Sequence, residues 1–282
     1  MIRGDEPVGL LAGAGRFPIA FATKARDAGL RVVGIGIMDH ADPVLASLCW
    51  RYHPVGPFQM GRMIQLVKAA GARQVVMAGK LHKADLMYRP WRWLHWLPDW
   101  RTLSWYYFRH RRDNKDDTVL LSVIEEWGRD GLSFASALDL CPELLVKPGV
   151  LTRRAPTPAE QADIDFGWTL AKAMGGLDVG QSVMIKDKVA VAVEAIEGTD
   201  RAIARAGELC RKGGFTVVKV AKPSQDMRFD VPTVGMQTIE NIARAGGKVL
   251  AIEAEKTIVL DQPETVALAD KLGVSIVCLA RD

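Results

Sequence analysis

The chain has 282 residues, 49% of them hydrophobic and 25% charged, with a formal net charge of +4. That composition fits a globular protein of two medium domains or one large one, and excludes global disorder, collagen and coiled coil. No run approaches the ~18 consecutive apolar residues of a membrane span, and the four scattered cysteines, Cys49, Cys141, Cys210 and Cys278, contain no Cys-x-x-Cys pair for zinc or a disulfide framework.

The N-terminus turns apolar only over 8–15, too short and too acidic a start for a secretory signal, so a reducing cytosol is the expected compartment. Residues 8–12 read as a buried strand, 17–28 as a helix stopped by Gly29, and 31–38 as a second strand. A helix over 61–70 and a strand over 74–78 follow. Strands separated by helices argue for a parallel α/β sheet. A helix over 118–129 precedes a region rich in proline. Thr157-Pro-Ala-Glu160 has the form of a capping box with proline at the first helical position. The second half repeats the alternation. Paired strands over 179–185 and 188–196 turn at Lys186-Asp187, and strands over 215–220, 249–253, 257–260 and 274–279 are interleaved with helices over 199–211, 238–245 and 263–272. The expected boundary lies near 150, giving domains 1–150 and 151–282.

Charge is unevenly spread. Residues 1–150 hold 20 Lys+Arg against 15 Asp+Glu, whereas 151–282 hold 17 against 18, which does not make a nucleic-acid binder. Between 88 and 112 lie five of the eight tryptophans, three of the four tyrosines, Phe108 and six arginines. Such residues favour the headgroup region of an anionic bilayer; the other reading is packing at an interface, with arginines stacked on aromatic rings.

The first strand runs into Gly13-Ala14-Gly15-Arg16-Phe17-Pro18. Amides of a glycine-rich strand-to-helix turn can cradle phosphate at a helix N-terminus. Pro18 stands where the dinucleotide fingerprint needs its third glycine, so a dehydrogenase is disfavoured. A tight turn of small residues is the plain alternative. Ala78-Gly79-Lys80 offers a second turn of the same kind, and Asp39, after the second strand, is placed to meet a ribose or to act as a loop acid.

The most distinctive stretch is Lys219-Val-Ala-Lys222-Pro-Ser-Gln225-Asp226-Met-Arg228-Phe-Asp230-Val-Pro, which follows a strand. Its cations suit phosphate oxygens, and its aspartates suit Mg²⁺. A solvated loop with Asp230 paired to Arg228 is the alternative. Glu197, before Gly198-Thr199-Asp200, is a further candidate metal ligand or a helix-start acid. Asp116-Asp117 open another helix. The five histidines lack metal-ligand spacing, and neither a Gly-x-Ser-x-Gly elbow nor a Gly-x-x-x-x-Gly-Lys loop occurs.

Taken together, the glycine turn at Gly13 and Gly15, Ala78-Gly79-Lys80, Lys115-Asp116-Asp117, Glu197-Gly198-Thr199-Asp200 and above all the 221–232 motif resemble the LpxI-type UDP-2,3-diacylglucosamine pyrophosphatases nearly end to end. The resemblance implies a Rossmann-like N-terminal domain contacting UDP and a second α/β domain holding the lipid product and carrying the catalytic loop. It implies Mg²⁺-dependent hydrolysis of UDP-2,3-diacylglucosamine to UMP and 2,3-diacylglucosamine 1-phosphate (lipid X) in lipid A synthesis, with water directed to the α-phosphorus. Asp226 matches the family's key catalytic aspartate. The expected site is then Lys222, Gln225, Asp226 and Arg228 for catalysis. Gly13, Ala14, Gly15, Gly79, Lys80, Asp117 and Thr199 are expected to meet substrate, and Asp226, Asp230 and Glu197 the metal. A two-chain lipid substrate implies a cytoplasmic protein peripheral to the inner membrane. A homodimer is the expected assembly. A noncatalytic nucleotide-binding or membrane-adaptor protein is the competing class.

Overall fold

The computed structural model describes residues 2, 5–81, 97–109, 116–223, 226–228 and 231–281, and only the backbone at 109, 116 and 117. The chain divides into two units: Met1–Pro142 with Asp226–Phe229, and Glu143–Gln225 with Asp230–Asp282.

The first unit is built on a five-stranded parallel sheet of order β3-β2-β1-β4-β5. In chain order it runs β1 (Val8–Ala12), α1 (Phe17–Asp27), β2 (Val32–Ile37), α2 (Leu45–Leu48), β3 (Arg51–Val55), α3 (Met60–Ala69) and β4 (Gln74–Ala78). Then come α4 (Trp100–Ser104), a π-helix (Trp105–Arg109), α5 (Asp116–Gly128) and β5 (Ser133–Ala135). β1 and β2 are apolar almost throughout because helices cover both faces of a parallel sheet. α1 buries Phe17, Phe21, Ala22 and Ala25 along one stripe. Met63, Ile64 and Val67 of α3 join Trp127, Phe134 and Val75 in the core. The Trp127 and Phe134 rings meet edge to face at 5.4 Å, and each fully buried side chain of this size contributes about 1.5–3 kcal/mol. β3, Arg-Tyr-His-Pro-Val, carries no strand signal in the sequence. It sits at the sheet edge, where a proline needs no ladder hydrogen bond.

The second unit holds a six-stranded mixed sheet of order β6-β13-β11-β9-β7-β8 and a two-stranded pair, β10-β12. Its elements are β6 (Gly149–Val150), α6 (Pro158–Gly176), β7 (Ser182–Lys186), β8 (Val189–Val193), α7 (Thr199–Leu209), β9 (Thr216–Lys219), β10 (Thr233–Val234), α8 (Met236–Arg244), β11 (Val249–Glu253), β12 (Ile258–Val259), α9 (Gln262–Leu272) and β13 (Ser275–Leu279). β9, β11 and β13 are parallel, and β7 and β6 run against them. Alternate residues choose opposite faces. Met184, Val217, Leu250 and Ile276 pack with Ile203, Ile239 and Ala269 of α7, α8 and α9. Val183, Val218, Ala251 and Val277 pack with Ile164, Trp168 and Ala171 of α6.

The capping box at Thr157 forms as its sequence implies: Glu160 N donates to Thr157 Oγ1, and Thr157 N donates to Glu160 Oε2. The β7–β8 turn differs by one residue from the expected Lys186-Asp187. Asp187 and Lys188 both take positive φ, and their amides donate to the buried carboxylate of Asp163 on α6, at 3.1 and 2.6 Å. A contact from a distant helix sets this turn, which local spacing does not reveal. Among the described residues, no helix is long and apolar enough to cross a membrane.

Candidate functional site

In the first unit the strand order reverses at β1, whose neighbours β2 and β4 lie on either side. Open α/β sheets take ligands in the crevice at the carboxyl ends of strands beside such a reversal. The Gly13–Gly15 turn leaves β1 there, and Gly79-Lys80 leaves β4 beside it. The two turns are joined by backbone. Gly13 N donates to Ala78 O at 2.9 Å, Ala14 N to Lys80 O at 2.8 Å, and Lys80 N to Ala14 O at 2.9 Å. Glycine is required by this approach. A Cβ on Gly13 would lie 2.7 Å from Lys80 O, and one on Gly79, at φ +90°, would lie 2.7 Å from Ala14 O. The amides of Gly13 and Ala14 therefore bond within the protein and do not form the phosphate cradle that a glycine-rich turn suggests. Gly15, Arg16, Gly79 and Lys80 are the exposed members of the pair.

Asp226–Phe229 groups with this unit. Ser136, which follows β5 and caps a short 3₁₀ turn over Ala137–Asp139, donates its hydroxyl to Met227 O at 2.9 Å. That bond fixes the loop to the carboxyl edge of the same sheet. Asp226 and Arg228 grip each other: Arg228 Nε lies 2.9 and 3.0 Å from the two carboxylate oxygens, Nη2 lies 2.5 Å from Oδ2, and Arg228 N also donates to Oδ1. These bonds hold the Asp226 carboxyl below the usual carboxylate range, against a weaker opposing effect of burial. Arg228 pairs with Asp226; the alternative pairing, with Asp230, lies outside the described residues. Gln225 and Asp230 lie outside the described residues, as does the side chain of Asp117, whose backbone is in the first turn of α5.

The remaining expected residues belong to the second unit. Lys222 Nζ lies 2.6 Å from Asp178 Oδ1. Thr199 opens α7, and its hydroxyl donates to buried Glu194 at 2.7 Å and accepts from buried Lys219 at 3.3 Å. Glu197 is ion-paired to Arg205 at 2.8 Å. Glu253, at the end of β11, receives Lys172 Nζ on both oxygens at 2.8 and 2.7 Å, and also the Ala221 amide. Sequence reasoning did not single out Lys172, Asp178, Glu253 or Ser136. Their partners are 81, 44 and 91 residues away, so no local spacing announces them.

Of the expected metal ligands, Asp226 is held by Arg228 and Glu197 by Arg205, and Asp230 lies outside the described residues. No group of three His, Cys, Asp or Glu side chains suited to a metal occurs among the described residues. Burial pushes the Cys49 thiol up to about 11 and the Cys278 thiol to about 12, so neither is a thiolate nucleophile near neutrality.

Residues 7–144 match the LpxI N-terminal domain and residues 147–277 the LpxI C-terminal domain. The chain belongs to the LpxI family. It is 31% identical over 279 residues to the UDP-2,3-diacylglucosamine pyrophosphatase LpxI of Caulobacter vibrioides, covering 95% of this chain and 96% of that protein. A 148-residue stretch is 32% identical to the bifunctional purine biosynthesis protein PurH of Deinococcus deserti, covering 49% of this chain but 24% of that protein. Among solved structures, a GalE-like L-threonine dehydrogenase from Cupriavidus necator aligns over 98% of this chain and 86% of its own, with 11% identity and a TM-score of 0.32. That score is too low to bear on function or fold.

Proposed function

We propose that this protein hydrolyses the pyrophosphate of UDP-2,3-diacylglucosamine, releasing UMP and 2,3-diacylglucosamine 1-phosphate, as a step in lipid A synthesis at the cytoplasmic face of the inner membrane. Family membership over both domains supports the substrate and the reaction class. The observation that carries the chemistry is the convergence of Gly15, Arg16, Gly79 and Lys80 with Asp226 and Arg228 on one carboxyl edge of the first unit's sheet.

The charges at that edge suit the reaction. Pyrophosphate hydrolysis concentrates negative charge on the oxygens around the attacked phosphorus, and cations fixed in place lower that barrier. Lys80 and Arg16 are exposed beside the two turns, and Arg228 offers a planar fork suited to two phosphate oxygens. A phosphoryl group competes with Asp226 for that fork. Once Arg228 turns to it, the Asp226 carboxylate is free to accept a hydrogen bond from the attacking water and orient it toward the α-phosphorus. Magnesium dependence comes with the family resemblance as part of the same proposal.

The test is UMP release from UDP-2,3-diacylglucosamine dispersed in detergent, with Mg²⁺ and with chelator. Asp226→Ala is expected to lower kcat by at least about a thousandfold with an unchanged melting temperature, because its only described contacts are local and solvent-exposed. Turnover like that of the wild type in this variant would refute the assignment. Nucleotide binding without UMP release by the wild type would favour the noncatalytic reading.

A further inference from the structure

Two charged side chains are buried in the second unit where its sheet gives way to the loop that carries Asp226. Lys219 closes β9 and is 3% exposed, and Glu194 follows β8 and is 9% exposed. The Thr199 hydroxyl joins them. It donates to Glu194 Oε1 at 2.7 Å and accepts from Lys219 Nζ at 3.3 Å, with Ser182 Oγ 3.5 Å away. Lys219 Nζ also donates to Thr233 O at 3.4 Å. Every one of these groups belongs to the second unit.

Stability alone does not account for this cluster. Taking an ammonium and a carboxylate out of water is costly, and apolar side chains of similar volume are often at least as stable as a buried charge pair. What a buried polar network supplies is a fixed geometry, because each member is oriented by the next. The points fixed here bracket the loop. Lys219 lies seven residues before Asp226, and Thr233 lies seven after it. One ammonium therefore ties the strand from which the loop departs to the backbone at which it returns. The middle of the loop is held separately, by Ser136 on Met227 O. Thr199 has a single hydroxyl proton, and it goes to Glu194.

We propose that Thr199 and Lys219 are positioning residues for Asp226. The hydroxyl orients the lysine, the lysine holds the two ends of the 220–232 loop together, and the aspartate strung between them meets the pyrophosphate in one geometry. The inference rests on the hydrolase reading proposed above. It gives Thr199 a role in kcat, where the family resemblance expects a substrate contact.

The test uses three variants of the full chain. Thr199→Val replaces the hydroxyl by a methyl of similar size, Thr199→Ser keeps it, and Lys219→Met breaks the same link from its other end. In Thr199→Val and Lys219→Met, kcat for UMP release from detergent-dispersed UDP-2,3-diacylglucosamine is expected to fall at least about tenfold with KM unchanged. Thr199→Ser is expected to restore kcat. A second measurement needs no turnover. The amides of Ile258 and Leu260 donate to Pro232 O and Val234 O, on either side of Thr233, so their hydrogen exchange reports whether the returning strand is held. Faster exchange there is expected in Thr199→Val and Lys219→Met but not in Thr199→Ser. A raised KM with unchanged kcat would overturn the proposal, because Thr199 would then contact substrate itself. Wild-type kcat in either link-breaking variant, or unaltered exchange, would also overturn it. If exchange responds as expected but the wild type releases no UMP, the hydrolase reading fails and the clamp on the ends of the loop stands.

Discussion

The carboxyl edges of the two sheets are finished in opposite ways. In the first unit, two glycine turns bond to each other through their backbones, and Gly15, Lys80 and Arg16 are exposed. In the second, charged side chains close the edge: Glu253 gathers Lys172, Lys256 and the Ala221 amide, and Lys222 is held by Asp178. A backbone-built edge leaves exposed cations such as Lys80 beside its turns. A side-chain-built edge ties the start of the 221–232 loop to the sheet.

The sharpest way to break this contrast is Glu253→Gln. It leaves the Lys172 ammonium largely buried without its counter-charge, and removing one partner of such a pair costs about 3–5 kcal/mol. Chemical denaturation should show that loss, and hydrogen exchange should show lost protection at the Ala221 amide. The loss has a pH signature. Burial alone would raise the Glu253 pKa, but the hydrogen bonds from Lys172, Lys256 and Ala221 prevail and lower it. A lowered folded-state pKa gives stability that is fully present above the unfolded value, roughly 4.3, and is lost as pH falls through the folded one. The gap between wild type and Glu253→Gln is therefore expected to be constant near neutrality and to close in acid below about pH 4. A gap that widens in acid would contradict the pairing.

The first unit's edge should also respond to shape. Gly79→Ala must adopt a φ near +90° and places a methyl 2.7 Å from Ala14 O and 2.8 Å from Pro18 Cγ. The backbone strain alone costs about 1–2 kcal/mol, and parting the two turns is expected to weaken UDP binding, measured by calorimetry, at least about tenfold. Gly15→Ala makes the control. It shares the positive φ, +98°, but its Cβ would meet nothing within 4 Å. It should lose similar stability and keep more of the binding. Equal binding losses would show that strain, not approach of the turns, is what matters there.

These two edges also differ in how far the sequence announces them. Strand β4, Gln74–Ala78, and the glycine turns are legible because a short apolar run and a following glycine are local signals. The 219–230 stretch stands out by its charge density, and Asp226 is found by the motif it belongs to. Its partner is not: the sequence offers two aspartates, each two residues from Arg228, and the bond to Asp226 is seen only in the folded loop. Edge strand β3 and the three-residue β5 escape because an edge position and a short ladder relax the rules of composition. The buried pair of Lys172 and Glu253 escapes for a different reason. A lysine on a helix is ordinarily solvated, and nothing near Glu253 in sequence says that its strand ends beneath that helix.

The smallest effect tests whether the second edge owes its stability to ion pairing or to the helix beneath it. α6 carries both Lys172 and Asp163, so weakening the helix start separates the two. Thr157→Ala removes the acceptor for Glu160 N, yet Glu160 remains bonded to Arg154 through two nitrogens at 2.8 and 3.1 Å. The expected cost is about 1 kcal/mol. Because Lys172 lies far along α6 from the cap, fraying at Thr157 should leave exchange at the Ala221 amide unchanged while amides of the first turn exchange faster. Loss of protection at Ala221 in this variant would mean that the helix as a whole, and not the Lys172–Glu253 pair, holds the edge.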